Sequence, residues 1–453
     1  MKKTAREVAL EVLTKVDKEN SYSNLQLNQS LKNEELSRMD INFTTEILYG
    51  TIQHLNTIDW IMQPFLKMKL QKLEPWVRNL LRLSIYQIWY LDKVPTHAIV
   101  NEAVNIAKKK GHKGISGMVN GVLRNILRNK ETIRIPEDLP ENEKISLEHS
   151  HPLWLVNRLV KDYGVDEARE ICKVNNLAPY HSVRINPLKT TREEIMEQFA
   201  KELGNQAEIT PSPLSSQGIR IKGGGNLALT NWYKEGFISI QDESSMLVAQ
   251  VVDAKPGSMV LDAAAAPGGK TTHIAELMQD NGTIIASDLH KHKIKLIEDQ
   301  QKRLGLHIIQ TIHSDARRLK NELPAHFDRI LLDVPCSGLG VIRRKPDLKW
   351  SKKEQDILDL TRVQKEILQD VSFLLKPGGI LVYSTCTMAI EENEAMVKDF
   401  VQKNPDFQLD TNLSSYLPEL VNKKIDASAG MIQILPHHFQ TDGFFISRLI
   451  RIK

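Results

Sequence analysis

The sequence predicts a multidomain protein: an all-α bundle, then a small α+β domain, then an α/β domain on a mostly parallel sheet. Apolar residues in the first third recur at helical spacing with little strand signal. From about residue 236 short apolar strands alternate with helices, and the stretch between mixes both patterns. A chain of 453 residues is long for one domain, so two or three are expected. Its 41% hydrophobic and 26% charged residues supply sizeable cores and argue against global disorder.

The bundle is expected over 1–132. Ala5, Val8, Ala9, Val12, Leu13 and Val16 lie on one face of an amphipathic helix. "EPWVRNLLRLSIYQIWYLDKVP" opens with Pro75, tolerated in a first helical turn, and stops before Pro95. "AIVNEAVNIAKKK" and "GMVNGVLRNILRNK" read as further helices. The polar, proline-bearing stretch 131–144 reads as a linker. Residues 145–235 pair helical segments such as "TREEIMEQFAKEL" with short strands, "YHSVRIN" and "GIRI". From 236 to 453 the strands "SMVLDA", "TIIASD", "HIIQTIHSD", "DRILLDVP" and "GILVYSTC" alternate with helices, the pattern of a parallel sheet covered on both faces. The tail offers two more strands joined by a loop, a terminal hairpin.

Net charge is only +4, but the charge is unevenly spread. From Lys108 to Lys130 seven basic residues occur without one acid. That suits a phosphate backbone and equally a solvated helix face; charge alone does not separate them. Three cysteines make no disulfide framework, and no CxxC pair suggests zinc, so no metal is expected. Charges interrupt the apolar residues of the opening segment, and no run is long enough to span a membrane. The expectation is a cytoplasmic protein with reduced thiols and no membrane partner.

In open α/β sheets ligands bind beyond the carboxyl ends of the strands. Here successive strands end in Asp262, Asp288, Asp315, Asp333 and Cys386. After the first comes "AAAAPGGK", in which Gly268 and Gly269 let backbone approach a ligand. Asp288 follows the loop by about 20 residues, the place of an acid that accepts ribose hydroxyls. The loop is neither GxxxxGK[ST] nor GxGxxG, so a nucleoside ligand without a pyrophosphate fits better, and S-adenosylmethionine is the candidate. Cys172 sits in a helical stretch and reads as a buried small hydrophobe. Cys336 and Cys386 stand at strand ends among turn residues, where packing explains them poorly. A free thiol near pKa 8.5 is a strong nucleophile in its thiolate form. Methylating carbon 5 of cytosine needs one: addition at carbon 6 makes carbon 5 enamine-like. An acid at the N3/N4 edge supports the addition, and Asp333 is the candidate.

The stretches "SIQDESSMLVAQ", "LDAAAAPGGKTTHIAE", "ASDLH", "SDAR", "LLDVPCSGLGVIRRKPDLKW", "YSTCTM..EEN" and "TDGFFISRL" resemble those of the 5-methylcytosine RNA methyltransferases, most of all the RsmB/Sun (Fmu) group. They run in the family's order through nearly all of 236–453. The helical pattern of the first 130 residues or so resembles the NusB-like RNA-binding bundle fused to this group. The resemblance implies a Rossmann-like methyltransferase domain that binds S-adenosylmethionine through Ala264, Ala265, Ala266, Pro267, Gly268, Gly269, Lys270, Asp288, Asp315 and Asp333. It implies Cys386 as the nucleophile, Cys336 as the residue assisting release of the methylated base, and Asp333, oriented by Lys270, serving both cofactor and base. DNA cytosine-5 methyltransferases use the "PC" cysteine instead; cysteines at both places point to RNA. At Ala264 many members carry a cysteine, a departure that removes no catalytic group. The implied reaction is C5 methylation of cytosine 967 of small-subunit (16S) rRNA by a monomer. Alternatives are 5-methylcytosine formation in another RNA, such as tRNA, or a non-catalytic RNA-binding factor.

Overall fold

The computed structural model describes residues 3–19, 23–34 and 36–453. The chain divides into two compact units, Met1–Leu177 with Ile342–Lys352, and Ala178–Val341 with Lys353–Lys453.

The first unit is helical. Helices Ala5–Glu19, Ser23–Asn33, Arg38–Gln53, Leu55–Met62, Pro75–Tyr90, Thr96–Lys110 and Lys113–Asn129 form the bundle. Pro75 stands in the first turn of its helix, where its missing N–H costs nothing. That helix is buried nearly all round, with Leu80, Leu81, Leu83 and Ile85 inside. The basic stretch occupies the end of one helix and all of the next. Val119, Val122, Leu123 and Ile126 face the core, while Lys108, Lys109, Lys110, Lys113, Arg124 and Arg128 are exposed. Two of these cations meet acids of the first helix: Lys109 Nζ lies 2.7 Å from Glu7 and Lys110 Nζ 3.8 Å from Glu11. Within the expected linker, Pro140 ends the irregular stretch and helix Glu141–Glu148 begins directly after it. Helices Leu153–Tyr163 and Val165–Asn175 follow in the same unit, and Cys172 is buried there as expected.

Ile342–Lys352, the "RRKPDLKW" stretch of the C-terminal half of the sequence, also packs in this unit. Asp347 accepts from Ser23 through both N (3.0 Å) and Oγ (2.6 Å). Trp350 Nε1 donates to the Ile52 carbonyl at 2.7 Å. Lys349 is wholly buried and donates to the Gln53 and Ser150 carbonyls and to Asn176 Oδ1, at 3.0, 3.1 and 2.7 Å. With no carboxylate among those acceptors, burial pushes its ammonium down to about 7. This part of the motif is an anchor in the helical unit.

The second unit holds two sheets. Strands β1 (His181–Ile185), β2 (Ala207–Pro211), β3 (Gly218–Gly223) and β4 (Ile238–Ile240) form an antiparallel sheet in the order β2-β3-β1-β4. Helix Arg192–Leu203 is started by a Thr191–Glu194 capping box and packs Ile195 and Phe199 against Val183, Ile219 and Ile221. The larger sheet contains β5 (Met259–Asp262), β6 (Thr283–Asp288), β7 (Ile309–His313), β8 (Phe327–Asp333), β9 (Leu375–Thr385), β10 (Phe407–Leu409), β11 (Met431–Ile434) and β12 (Phe444–Arg451). Its order is β10-β12-β9-β8-β5-β6-β7, with β11 paired to β12. The strands from β9 to β7 are parallel and β12 is antiparallel to β9. Side chains alternate between two cores: Val260, Leu331 and Val382 enter one, Leu261, Leu332 and Leu381 the other. The expected terminal hairpin forms, with Met431 opposite Ser447. The chain winds one way from β5 to β6 and the other way to β8, so the carboxyl edge between β5 and β8 is the topological switch point where such sheets open a crevice.

Candidate active site

That crevice collects most of the residues singled out in the sequence. Asp262 ends β5 and is buried; its Oδ2 accepts from Thr271 Oγ1 at 2.6 Å. Burial, with Asp333 nearby, pushes its carboxyl up to about 7. The loop after it is pinned by Ala265 N donating to the Ser287 carbonyl at 2.8 Å. Gly268 has φ +100°, and a Cβ there would stand 3.2 Å from Ile297 Cα, so the turn requires glycine. Gly269 opens helix Gly269–Leu277, and a Cβ added to it would meet nothing within 4 Å. The space beside Gly269 is therefore open. Lys270, the loop's cation, is held 2.7 Å from Asp333 Oδ2. An uncommitted cation for a pyrophosphate is thus missing from the loop, and the residues fit a nucleoside carrying an amino-acid tail. Asp288 ends β6 nearly buried, one carboxylate oxygen accepting from His290 N at 2.9 Å. Asp315 lies on the same edge, but its carboxylate caps the next turn at Arg317 N and pairs with the Arg317 guanidinium at 2.7 Å. That pairing holds the Asp315 carboxyl below its ordinary range.

Asp333 ends β8, with Ser384 Oγ on its Oδ1 at 2.8 Å and Lys270 on its Oδ2. Burial alone would lower the Lys270 ammonium; Asp333, then Cys386 and Asp262, outweigh it and hold the cation above its ordinary value. β8 and β9 run side by side, so Cys336 and Cys386, just beyond them, come together with Sγ atoms 3.3 Å apart. The pair shares a hydrogen bond. Either sulfur can be the donor; the hydrogen bond lowers the Cys386 thiol and, together with burial, raises Cys336 well above its ordinary value. Lys270 also favours the Cys386 thiolate, against Asp333.

Close backbone packing fixes both cysteine loops. Gly340 N donates to the Cys386 carbonyl at 2.9 Å, and Gly443 N to the Gly340 carbonyl at 2.8 Å. A Cβ on Gly340 would lie 2.0 Å from the Gly443 carbonyl oxygen, so only glycine fits. Sequence reasoning assigned no role to the residues that brace these loops. Glu392, buried, accepts from Ser337 N at 2.9 Å and from Gln364 Nε2 at 2.8 Å, and Gln364 also holds the Pro335 carbonyl. Asn393 takes the Thr385 hydroxyl at 2.6 Å and donates to the Thr387 carbonyl at 3.0 Å, bracketing Cys386. Their signal was the "EEN" that follows the "TC" cysteine.

Arg184 gave no signal. From β1 it pairs with Glu276 through Nε and Nη2, both 2.9 Å, and both side chains are fully buried. Its other N–H groups reach Gln241, the Gly269 carbonyl and Thr272 Oγ1. All five guanidinium donors are used, and the helix that carries the glycine loop is tied to the small sheet.

Known proteins match throughout. Residues 249–450 match the family model described as 16S rRNA methyltransferase RsmB/F, 3–128 the NusB family, and 151–228 the ferredoxin-like domain of RsmF/B-like methyltransferases. The chain is 46% identical over 98% of both sequences to "Probable ribosomal RNA small subunit methyltransferase B" of Bacillus subtilis (strain 168). It is 37% identical to the Synechocystis protein of the same name, over 98% of this chain and 99% of that one. The crystal structure of PH0851 aligns over 99% of both chains with TM-score 0.80 at 27% identity. NSun6 from Pyrococcus horikoshii, solved with SFG, aligns over 67% of this chain and 98% of its own with TM-score 0.59 at 25% identity.

Proposed function

Because the chain belongs to the RsmB/F family of 16S rRNA methyltransferases, we propose that it methylates carbon 5 of a cytosine of small-subunit rRNA, position 967, through a covalent adduct on Cys386. It is an RNA methyltransferase and its methyl donor is S-adenosylmethionine. The three domains proposed are 1–132 for RNA, 145–235 bracing the cofactor loop, and 236–453 for catalysis.

The observation that carries the mechanism is the thiol pair. Their hydrogen bond lowers Cys386 and raises Cys336, so Cys386 is the member that forms the thiolate more readily, with Lys270 beside it. Cys386 adds to carbon 6 of the base. Negative charge develops at the N3/N4 edge; the Lys270 ammonium, held by Asp333, offsets it, and the Asp333 carboxylate, oriented by Lys270 and Ser384, accepts from the N4 amino group. Ala264–Lys270, Asp288, Asp315 and Asp333 make up the cofactor site, and the bound cofactor supplies the sulfonium methyl that carbon 5 takes up. Once its sulfur is bonded to carbon 6, Cys386 no longer accepts the Cys336 hydrogen bond. The principal cause of the raised Cys336 value is then gone. Cys336 then releases its own proton to solvent and, as the thiolate, takes the carbon 5 proton, directly or through water; the electrons of the broken C–H bond expel the Cys386 sulfur from carbon 6.

Bisulfite sequencing of 16S rRNA, from cells with and without the gene and from naked rRNA treated with purified protein, tests the reading. A protected cytosine at position 967 that disappears with the gene is expected; an unchanged 16S pattern, or protection confined to tRNA, removes it.

Asp288→Ala should weaken S-adenosylmethionine binding by about 1–3 kcal/mol, the scale for stranding a buried polar partner. Calorimetry checks this; wild-type affinity would take Asp288 out of the site. The exposed cations of the helical unit are proposed to track phosphates. Lys109 and Lys110 are partly neutralised by Glu7 and Glu11, so Lys108, Lys113 and Arg124 are the informative trio. Replacing all three by glutamine should lower RNA affinity and flatten its salt dependence by about 0.7 per lost single-strand phosphate contact. An unaltered salt slope would make this an ordinary solvated face.

A further inference from the structure

We propose that the Cys336–Cys386 pair is an oxidation site, at which a hydroperoxide oxidises Cys386 and Cys336 resolves the product as a reversible internal disulfide. The proposal needs only the geometry of the pair and stands apart from the reading of the RNA substrate.

The two sulfurs are 3.3 Å apart. A disulfide requires about 2.05 Å, so an approach of about 1.3 Å joins them, within what two χ1 rotations supply. The backbones are already held side by side: Val334 N donates to the Ser384 carbonyl at 3.2 Å and Gly340 N to the Cys386 carbonyl at 2.9 Å. Both cysteines are partly exposed, as the crevice requires for a nucleophile. Cys172 provides an internal contrast: it is fully buried, and burial pushes its thiol up to about 12. The same hydrogen bond that readies Cys386 for a base readies it for peroxide, since the thiolate is the form that reacts.

The Cys386 thiolate attacks the terminal oxygen of the hydroperoxide. An S–O bond forms, the O–O bond breaks, and the alcohol (water, from hydrogen peroxide) departs with one proton, leaving a sulfenic acid. The sulfur of Cys336, losing its proton, attacks the Cys386 sulfur. The S–S bond forms, the S–O bond breaks, and the oxygen leaves as water. Two thiols have lost two electrons and two protons, and the hydroperoxide has become an alcohol and water. A dithiol reverses the change by exchange. The cross-linked form holds no nucleophile, and the resolving thiol keeps Cys386 from advancing to the irreversible sulfinic acid.

The test is intact-mass and peptide mass spectrometry of the full-length protein after stoichiometric hydrogen peroxide, with maleimide trapping of free thiols. The expected wild-type product lacks two hydrogens, carries a Cys336–Cys386 linked peptide, retains Cys172 as a free thiol, and reverts with dithiothreitol. In Cys336→Ser, Cys386 should instead gain oxygen and continue to the sulfinic acid, which dithiothreitol does not reverse. In Cys386→Ser, Cys336 should stay reduced at the same dose. Oxygen addition at Cys386 of the wild type without the cross-link, a disulfide between two chains, or unchanged trapping of both thiols would each overturn the proposal.

Discussion

Cys336→Ala should accumulate a covalent protein–RNA adduct, while Cys386→Ala should lose methyl transfer altogether and retain cofactor binding. The two sulfurs are neighbours, so position alone does not decide which attacks. Their acidities do: the hydrogen bond between them raises Cys336 and lowers Cys386, and the cation Lys270 favours the thiolate on Cys386. Without Cys386 no sulfur reaches carbon 6 as a thiolate, and the loss is of the order of removing a nucleophile, about 10⁴-fold or more. Without Cys336 the addition and one methylation still proceed, because Lys270 and Asp333 are untouched. The carbon 5 proton then has no base held at the right place, and elimination stalls. Labelled RNA on denaturing gels separates the outcomes: a retarded band for Cys336→Ala, none for the Cys336→Ala/Cys386→Ala double variant. If Cys386→Ala traps RNA and Cys336→Ala is merely inactive, the two roles are reversed.

Much of this was legible in the sequence because the proposed site residues stand at strand ends. A short apolar run followed by Asp262, Asp333 or Cys386 reads as a strand and as a site at once, and the parallel sheet then brings those ends to one edge. Gly268 and Gly269 announced an open turn by composition, and the turn forms where expected. What stayed hidden acts through distant partners. Arg184 lies in an ordinary-looking strand, "HSVRIN", and its Glu276 in an ordinary-looking helix; nothing local signals a fully buried ion pair. Glu392 reads as surface acid until the fold wraps Ser337 and Gln364 around it. "RRKPDLKW" follows the Cys336 loop closely in the chain, yet Asp347, Lys349 and Trp350 bind Ser23, Ser150 and Ile52 of the helical unit. Spacing along the chain carries no information about that detour.

Lys270→Met should move the acid limb of the pH–rate profile to higher pH and cut activity near pH 7 by about 10²–10³-fold, the scale for losing one preorganised charge at a reacting centre. Lys270 sits 2.7 Å from Asp333 and 5.0 Å over the Phe444 ring, with Asp262 also within its field. The sign follows from the charges left behind. In the proposed mechanism Cys386 reacts as the thiolate, which exists above its pKa. Its Cys336 hydrogen bond and Lys270 lower that pKa, while burial and Asp333 raise it. Removing the cation takes away one of the two lowering influences, so a smaller thiolate fraction exists at any pH on the acid limb. There the rate falls in proportion to that fraction, about tenfold for a thiol ten times less acidic. Asp333→Asn is the control. It removes a negative charge from the Cys386 environment, so it should shift the limb the other way while lowering the plateau, because the N3/N4 edge loses its carboxylate. Single-turnover methyl transfer across pH, paired with the pH dependence of iodoacetamide alkylation of Cys386 in the absence of RNA, reads both effects. Alkylation in Lys270→Met that titrates where the wild type does would mean that Lys270 only braces Asp333 and has no part in making the thiolate.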